Sequence, residues 1–130
     1  MPVPGSLKRR PINESEIANL LERQFNLPTL ETRAYLQMLE RSRVEVDELA
    51  ETLGLSKSET QDLLQSMRSR GLVIQASESK EAFSPLHPRM TMTNIFKLYE
   101  KTVVQDLRDR RATVDRVVNL LTPIFDERKN

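Results

Sequence analysis

A single histidine and no cysteine leave this 130-residue chain little to do metal or nucleophilic chemistry with. His87 lies between Leu86 and Pro88 in a stretch that reads as a loop. A transition-metal site or a Cys/His nucleophile pair needs more ligands or partners than that. The three glycines are far apart, so there is no glycine-rich phosphate loop. The acidic pairs Asp47/Glu48 and Asp126/Glu127 read as solvated helix carboxylates. No catalytic residue, metal ligand or cofactor is therefore expected, and the chain does not read as an enzyme.

The residue types that do suggest chemistry fall in "GLSKSETQDLLQSMRSRGLV", residues 54 to 73. Gly54-Leu55 is a turn, a helix follows over 56–70, Gly71 stops it, and Leu72-Val73 open a strand. At helical spacing Thr60, Leu63, Leu64 and Met67 share one face, the side expected to be buried. Ser58, Asp62, Gln65 and Ser69 lie opposite, with Lys57, Gln61 and Arg68 on one flank and Glu59, Ser66 and Arg70 on the other. Glutamine suits an adenine edge and serine suits any base, so Ser58, Gln61 and Gln65 are candidate base contacts. Lys57 and Arg68, with Lys80 just downstream, are candidate phosphate contacts.

Two acids sit on this candidate reading helix. Ser56-Lys57-Ser58-Glu59 fits the S-x-x-E capping box, which gives Glu59 a local structural task at the helix start. Asp62 is either a solvated acid or an acceptor for a cytosine amino group.

The neighbouring segments read as the scaffold that holds this helix. Residues 1–12 carry three prolines, a glycine and Lys8, Arg9 and Arg10, and read as a flexible basic arm able to reach a minor groove or phosphates. Asn13 and Glu16 open a first helix with Ile17, Leu20, Leu21 and Phe25 on one face. A second begins near Thr29. A short third spans about 48–53 with Asp47 as its cap. After the reading helix, "LVIQA" and "EAFSP" around "SESK" form a hairpin. An angled helix pair followed by a hairpin is a winged helix, here over residues 13–90.

From Thr91 to Thr122 there is no glycine or proline, and Pro123 is expected to end or kink the helix. Leu107, Val114 and Leu121 take heptad position a, and Phe96, Val103 and Val117 position d, with Glu100 and Arg110 interrupting the seam. A helix of that length reaches about 48 Å, whereas a compact domain of this mass has a radius of gyration near 14 Å. Residues 91–130 should therefore project and meet a second copy of the chain along those six apolar residues, the alternative being a helix that bends and folds back on its own domain. The fold class expected is mainly α with a small β-hairpin: a winged helix-turn-helix followed by a long C-terminal dimerisation helix.

The stretch "NLPTLETRAYLQMLERSRVEVDELAETLGLSKSETQDLLQSMRSRGLV" resembles the N-terminal domain of TrmB-like regulators, archaeal winged-helix transcription factors. Leu27, Glu31, Arg33, Tyr35 and Leu36 match the opening of the family's first core helix. Lys57, Ser58, Asp62, Leu64, Met67 and Gly71-Leu72-Val73 match or nearly match its recognition helix. The resemblance covers about residues 26–88 and implies DNA binding, with Asp62 at a position where the family often carries an acid. Gln61, Thr60 and Glu59 depart from the usual tyrosine, valine and basic residue, and the wing is less basic than the family's. MarR-type regulators share much of the pattern, but "QASESKEAFSP" lacks their Asp-x-Arg wing signature. A large sugar-sensing domain marks long members, whereas this chain is similar to short forms in which one long helix follows the winged domain, so sugar sensing is not expected.

Charge divides along the chain: +3 over residues 1–12, −4 over 13–90 and +2 over 91–130, within the net +1. An acidic reading domain is unusual for a protein that lives by phosphate contact. Two functions follow. The first is a homodimeric, sequence-specific regulator that places helix 56–70 in the major groove of double-stranded DNA. The second is a winged helix used to bind a protein of the transcription machinery. No run of 18 apolar residues spans a membrane and no signal sequence is visible, so a cytoplasmic location is expected.

Overall fold

The computed structural model describes residues 11–129, so the candidate basic arm with Lys8, Arg9 and Arg10 lies outside the described residues. Helix α1 (Glu14–Phe25) begins where Asn13 Oδ1 accepts from the Glu16 N–H at 3.0 Å. It ends at Asn26, whose left-handed φ of 60° returns the chain toward α2. Helix α2 spans Thr29–Arg41 and strand β1 is Val44–Glu45. Helix α3 (Val46–Leu53) starts two residues earlier than the sequence suggests. Its N-cap is Glu45 rather than Asp47, because the Glu48 carboxylate reaches back to the Glu45 N–H at 3.1 Å.

Gly54, at φ 70°, makes the turn into α4 (Lys57–Arg70). The expected capping box is present: Ser56 Oγ accepts from the Glu59 N–H at 3.0 Å, and Glu59 Oε1 accepts from the Ser56 N–H at 2.9 Å. Thr60, Leu63, Leu64 and Met67 are buried, as helical phase requires. Leu63, Leu64 and Met67 pack with Met38, Val44, Val46, Leu49, Leu72, Val73, Phe83 and Ile95 into one core. The hairpin of β2 (Val73–Gln75) and β3 (Ala82–Pro85) is joined by β1 on the far side of β3, so the sheet has three antiparallel strands in the order β1-β3-β2. Val44 pairs with Phe83 and Gln75 pairs with Phe83 from the other side. The third strand went unseen in the sequence because two residues carry no alternation to read.

Helix α5 runs from Pro88 to Lys129, 42 residues, which is about 63 Å at helical rise. It is longer at both ends than the stretch 91–122. Pro123 does not end it. The carbonyl of Asn119 loses its amide partner at that proline, but Asn119 is exposed, so solvent can satisfy it. The base of α5 is fixed to the winged domain: Thr91 and Ile95 are buried, and Tyr99 meets Phe25 edge to face at 5.7 Å. From Glu100 to Arg128 every residue is exposed, so the helix projects and does not fold back.

Candidate nucleic-acid interface

Ser58, Gln61, Asp62 and Gln65 are all exposed on α4, on the side away from the core. The wing stands beside them and is tied to α4 through side chains. Arg68 Nη1 donates to Gln75 Oε1 of β2 at 3.1 Å and lies 3.5 Å from Gln65 Oε1. Gln75 Nε2 in turn donates to the Lys80 carbonyl at 2.8 Å, which fixes the loop that carries Lys80. Arg68, Gln75 and Lys80 thus form one polar strip from the helix to the wing, with Lys80 exposed at its end.

Lys57 has a different setting. Its ammonium lies 2.6 Å from Glu81 on the wing and 3.9 Å from Asp47 on α3, and these carboxylates raise its pKa above the ordinary lysine value. Arg43, ahead of β1, is paired with Glu78 in the same way, and its guanidinium holds the Glu78 carboxyl below the usual carboxylate range. The two acids that make the wing look poorly suited to DNA are therefore each engaged with a cation. The same pairing means that Lys57 reaches a phosphate only by giving up Glu81. Arg43 and Gln75 were not singled out in the sequence. Neither lies on α4, and nothing in their local spacing marks them.

Glu59 is engaged by its cap. The Ser56 backbone N–H, then its hydroxyl, hold the Glu59 carboxyl below its ordinary pKa. On the opposite flank of α4, Arg70 Nε lies 3.1 Å from Oε1 of Glu31, and Ser66 Oγ donates to Oε2 of Glu31 at 2.9 Å. Glu31 is only 3% exposed, so α2 grips the back of α4 through a buried carboxylate. Its buried role could have been suspected from one signal, an acid on the apolar face of α2.

Along α5, Phe96, Val103, Leu107, Val114, Val117 and Leu121 are all exposed, between 37% and 61%. Val104, Val118, Leu120, Ile124 and Phe125 widen the apolar surface toward the end of the helix. Among the described residues there is no cluster of three metal-ligating side chains and no helix apolar enough to cross a membrane.

A winged helix with an exposed, polar face on its second helix and a projecting apolar helix defines a class, that of helix-turn-helix regulators. The family of sugar-specific transcriptional regulators TrmB matches residues 21–89, and the chain belongs to this family. It is 21% identical over 113 residues to the DNA-binding transcriptional repressor TrmBL2 of Thermococcus kodakarensis, covering 87% of this chain and 43% of the relative. A solved structure of TrmBL2, described as an archaeal chromatin protein with a novel mode of DNA binding, superposes with a TM-score of 0.74 at 20% identity. That likeness covers 92% of this chain and 46% of the TrmBL2 chain. The multiple antibiotic-resistance repressor MarR of Listeria monocytogenes shares the fold at a TM-score of 0.51 and 10% identity, over 89% of this chain and 84% of its own. The chain spans less than half the length of the curated relatives it matches.

Proposed function

We propose that the chain is a sequence-specific DNA-binding transcriptional regulator that acts as a homodimer. The observation that carries this reading is the exposed apolar stripe of α5, six residues on a helix that none of the described residues covers. A contiguous exposed apolar surface of this kind marks an interaction site, and the heptad spacing suits a second identical helix. Pairing α5 with its copy presents two α4 helices, each able to enter a major groove. Ser58, Gln61 and Gln65 then meet base edges, while Arg68, Lys80 and Lys57, once freed from Glu81, hold phosphates. Residues 13–90 serve as the reading domain and 91–130 as the dimerisation helix, with the arm of residues 1–12 adding contact to the minor groove or the backbone.

Binding-site selection from random duplex DNA tests this. Two related half-sites about one helical turn, or a multiple of it, apart are expected. The double change Lys57→Ala, Arg68→Ala weakens binding to every sequence and reduces the salt slope by about 2 per protomer. Gln65→Ala acts differently and relaxes preference at one base pair by about 1–3 kcal/mol, leaving the slope nearly intact.

The pairing of Lys57 and Arg43 with wing acids favours a second reading, a winged helix that binds a protein of the transcription machinery. Variants that bind random and selected DNA no worse than wild type support that reading instead.

A further inference from the structure

The end of the reading helix and the base of the projecting helix meet at one point. Gly71 closes α4 at φ 84°, a left-handed conformation that suits glycine. A Cβ added there would lie 2.3 Å from Asn94 Nδ2 and 2.8 Å from Asn94 Cβ. Asn94, half-buried on the second turn of α5, fills that space and donates from Nδ2 to the Gly71 carbonyl at 2.9 Å. This hydrogen bond satisfies a backbone acceptor at the α4 terminus that the helix itself leaves open. One residue earlier, Arg70 is held by the buried Glu31 of α2. Residues 70 and 71 are thereby tied to α2 on one side and to α5 on the other.

We propose that Asn94, seated on Gly71, is a positioning residue that fixes the angle between the reading helix α4 and the projecting helix α5, and so sets the half-site spacing. The spacing rests on the dimeric DNA-binding reading given above; the fixed angle does not. The physical reason is leverage. Swinging α5 by about 10° moves a point 40 Å along it by about 7 Å, roughly two base-pair steps of 3.4 Å. A dimer joined along α5 therefore converts a small error at this contact into a change of register on DNA. Ile95 and Tyr99 hold the same helix through apolar burial and an edge-to-face ring contact, which resist sliding less directionally than a hydrogen bond into a glycine notch.

The chain has no cysteine, which allows clean double labelling. Nitroxides at Asp62→Cys and Arg108→Cys, both exposed, report the α4–α5 distance within one protomer when labelled protein is diluted with unlabelled. Double electron–electron resonance on the wild-type background should give one narrow distance. Asn94→Ala, or the near-isosteric Asn94→Asp that puts a carboxylate against the Gly71 carbonyl, should broaden it at least twofold while circular dichroism shows a folded protein. In binding-site selection the wild type should choose a single half-site spacing. The Asn94 variants should choose the same half-site sequence over a range of at least two base pairs. A distance distribution as narrow as wild type, or a single retained spacing, overturns the proposal. If the distance broadens but the wild type selects no paired half-sites, the fixed angle stands and the dimeric DNA-binding reading is what fails.

Discussion

Glu81 and Glu59 are two acids on the candidate DNA side, and they do different things. Glu59 has both capping partners, so it holds the helix start. Ser56→Ala should cost about 1 kcal/mol, the usual loss for an N-cap hydroxyl. Glu59→Ala should lower the melting temperature as well, while Glu59→Gln, which can also reach back, should change it little. The pH dependence follows from the lowered pKa of Glu59 and of Glu78. A carboxyl whose folded pKa is depressed contributes its stability above its unfolded value, about 4.3. That contribution is lost as pH falls through the lower folded value. Thermal melts from pH 6 to pH 2.5 should therefore show Glu59→Ala converging on the wild type at the acid end, and a constant gap would remove the capping role. Glu81 instead occupies Lys57. Glu81→Gln removes the competitor for that ammonium and should tighten binding to random duplex, with the salt slope little changed because Lys57 already counts among the phosphate contacts. Anisotropy titrations in which the variant binds no tighter would mean that Lys57 takes no part in phosphate contact.

At the scale of elements, α4 is held from behind by charge as well as by packing. Glu31→Ala leaves Arg70 without its carboxylate and Ser66 without its acceptor. Breaking a fully buried pair costs roughly 3–5 kcal/mol. Arg70 keeps 39% of its side chain exposed, so a loss of about 2–3 kcal/mol is expected here. Urea denaturation that leaves the midpoint unmoved would show the pair to be ornamental. Much of this architecture is legible in the sequence because it is written locally. The S-x-x-E box, the Gly71 stop and the phase of Thr60, Leu63, Leu64 and Met67 all lie within one helix and obey one period. What could not be read is non-local or short. Strand β1 is two residues long, and it exists only because Val44 finds Phe83 about forty positions away. The partners of Lys57 and Arg43 come from a wing loop whose path no spacing rule specifies. Pro123 does not end the helix, one of the two outcomes expected of it, because its cost falls on an exposed carbonyl, which water can satisfy.

For the whole molecule, the governing feature is a helix of about 63 Å standing on a small winged domain. Leu107 is 61% exposed near the middle of its apolar stripe. In the proposed dimer Leu107→Asp buries an unpaired charge at the seam, a change worth several kcal/mol. Light scattering should then find a monomer where the wild type is a dimer, and a wild type already monomeric at tens of micromolar would remove the need for a second helix. Pairing also bears on DNA, since one domain of net charge −4 over residues 13–90 has few phosphate contacts of its own. The most direct test of the DNA-binding dimer is the salt dependence of its affinity for random-sequence duplex. With Lys57, Arg68 and Lys80 of both protomers engaged, a plot of log affinity against log salt should fall with a slope near −5, at about 0.9 per phosphate contact. A slope near zero, with wild-type protein folded and dimeric, would contradict it.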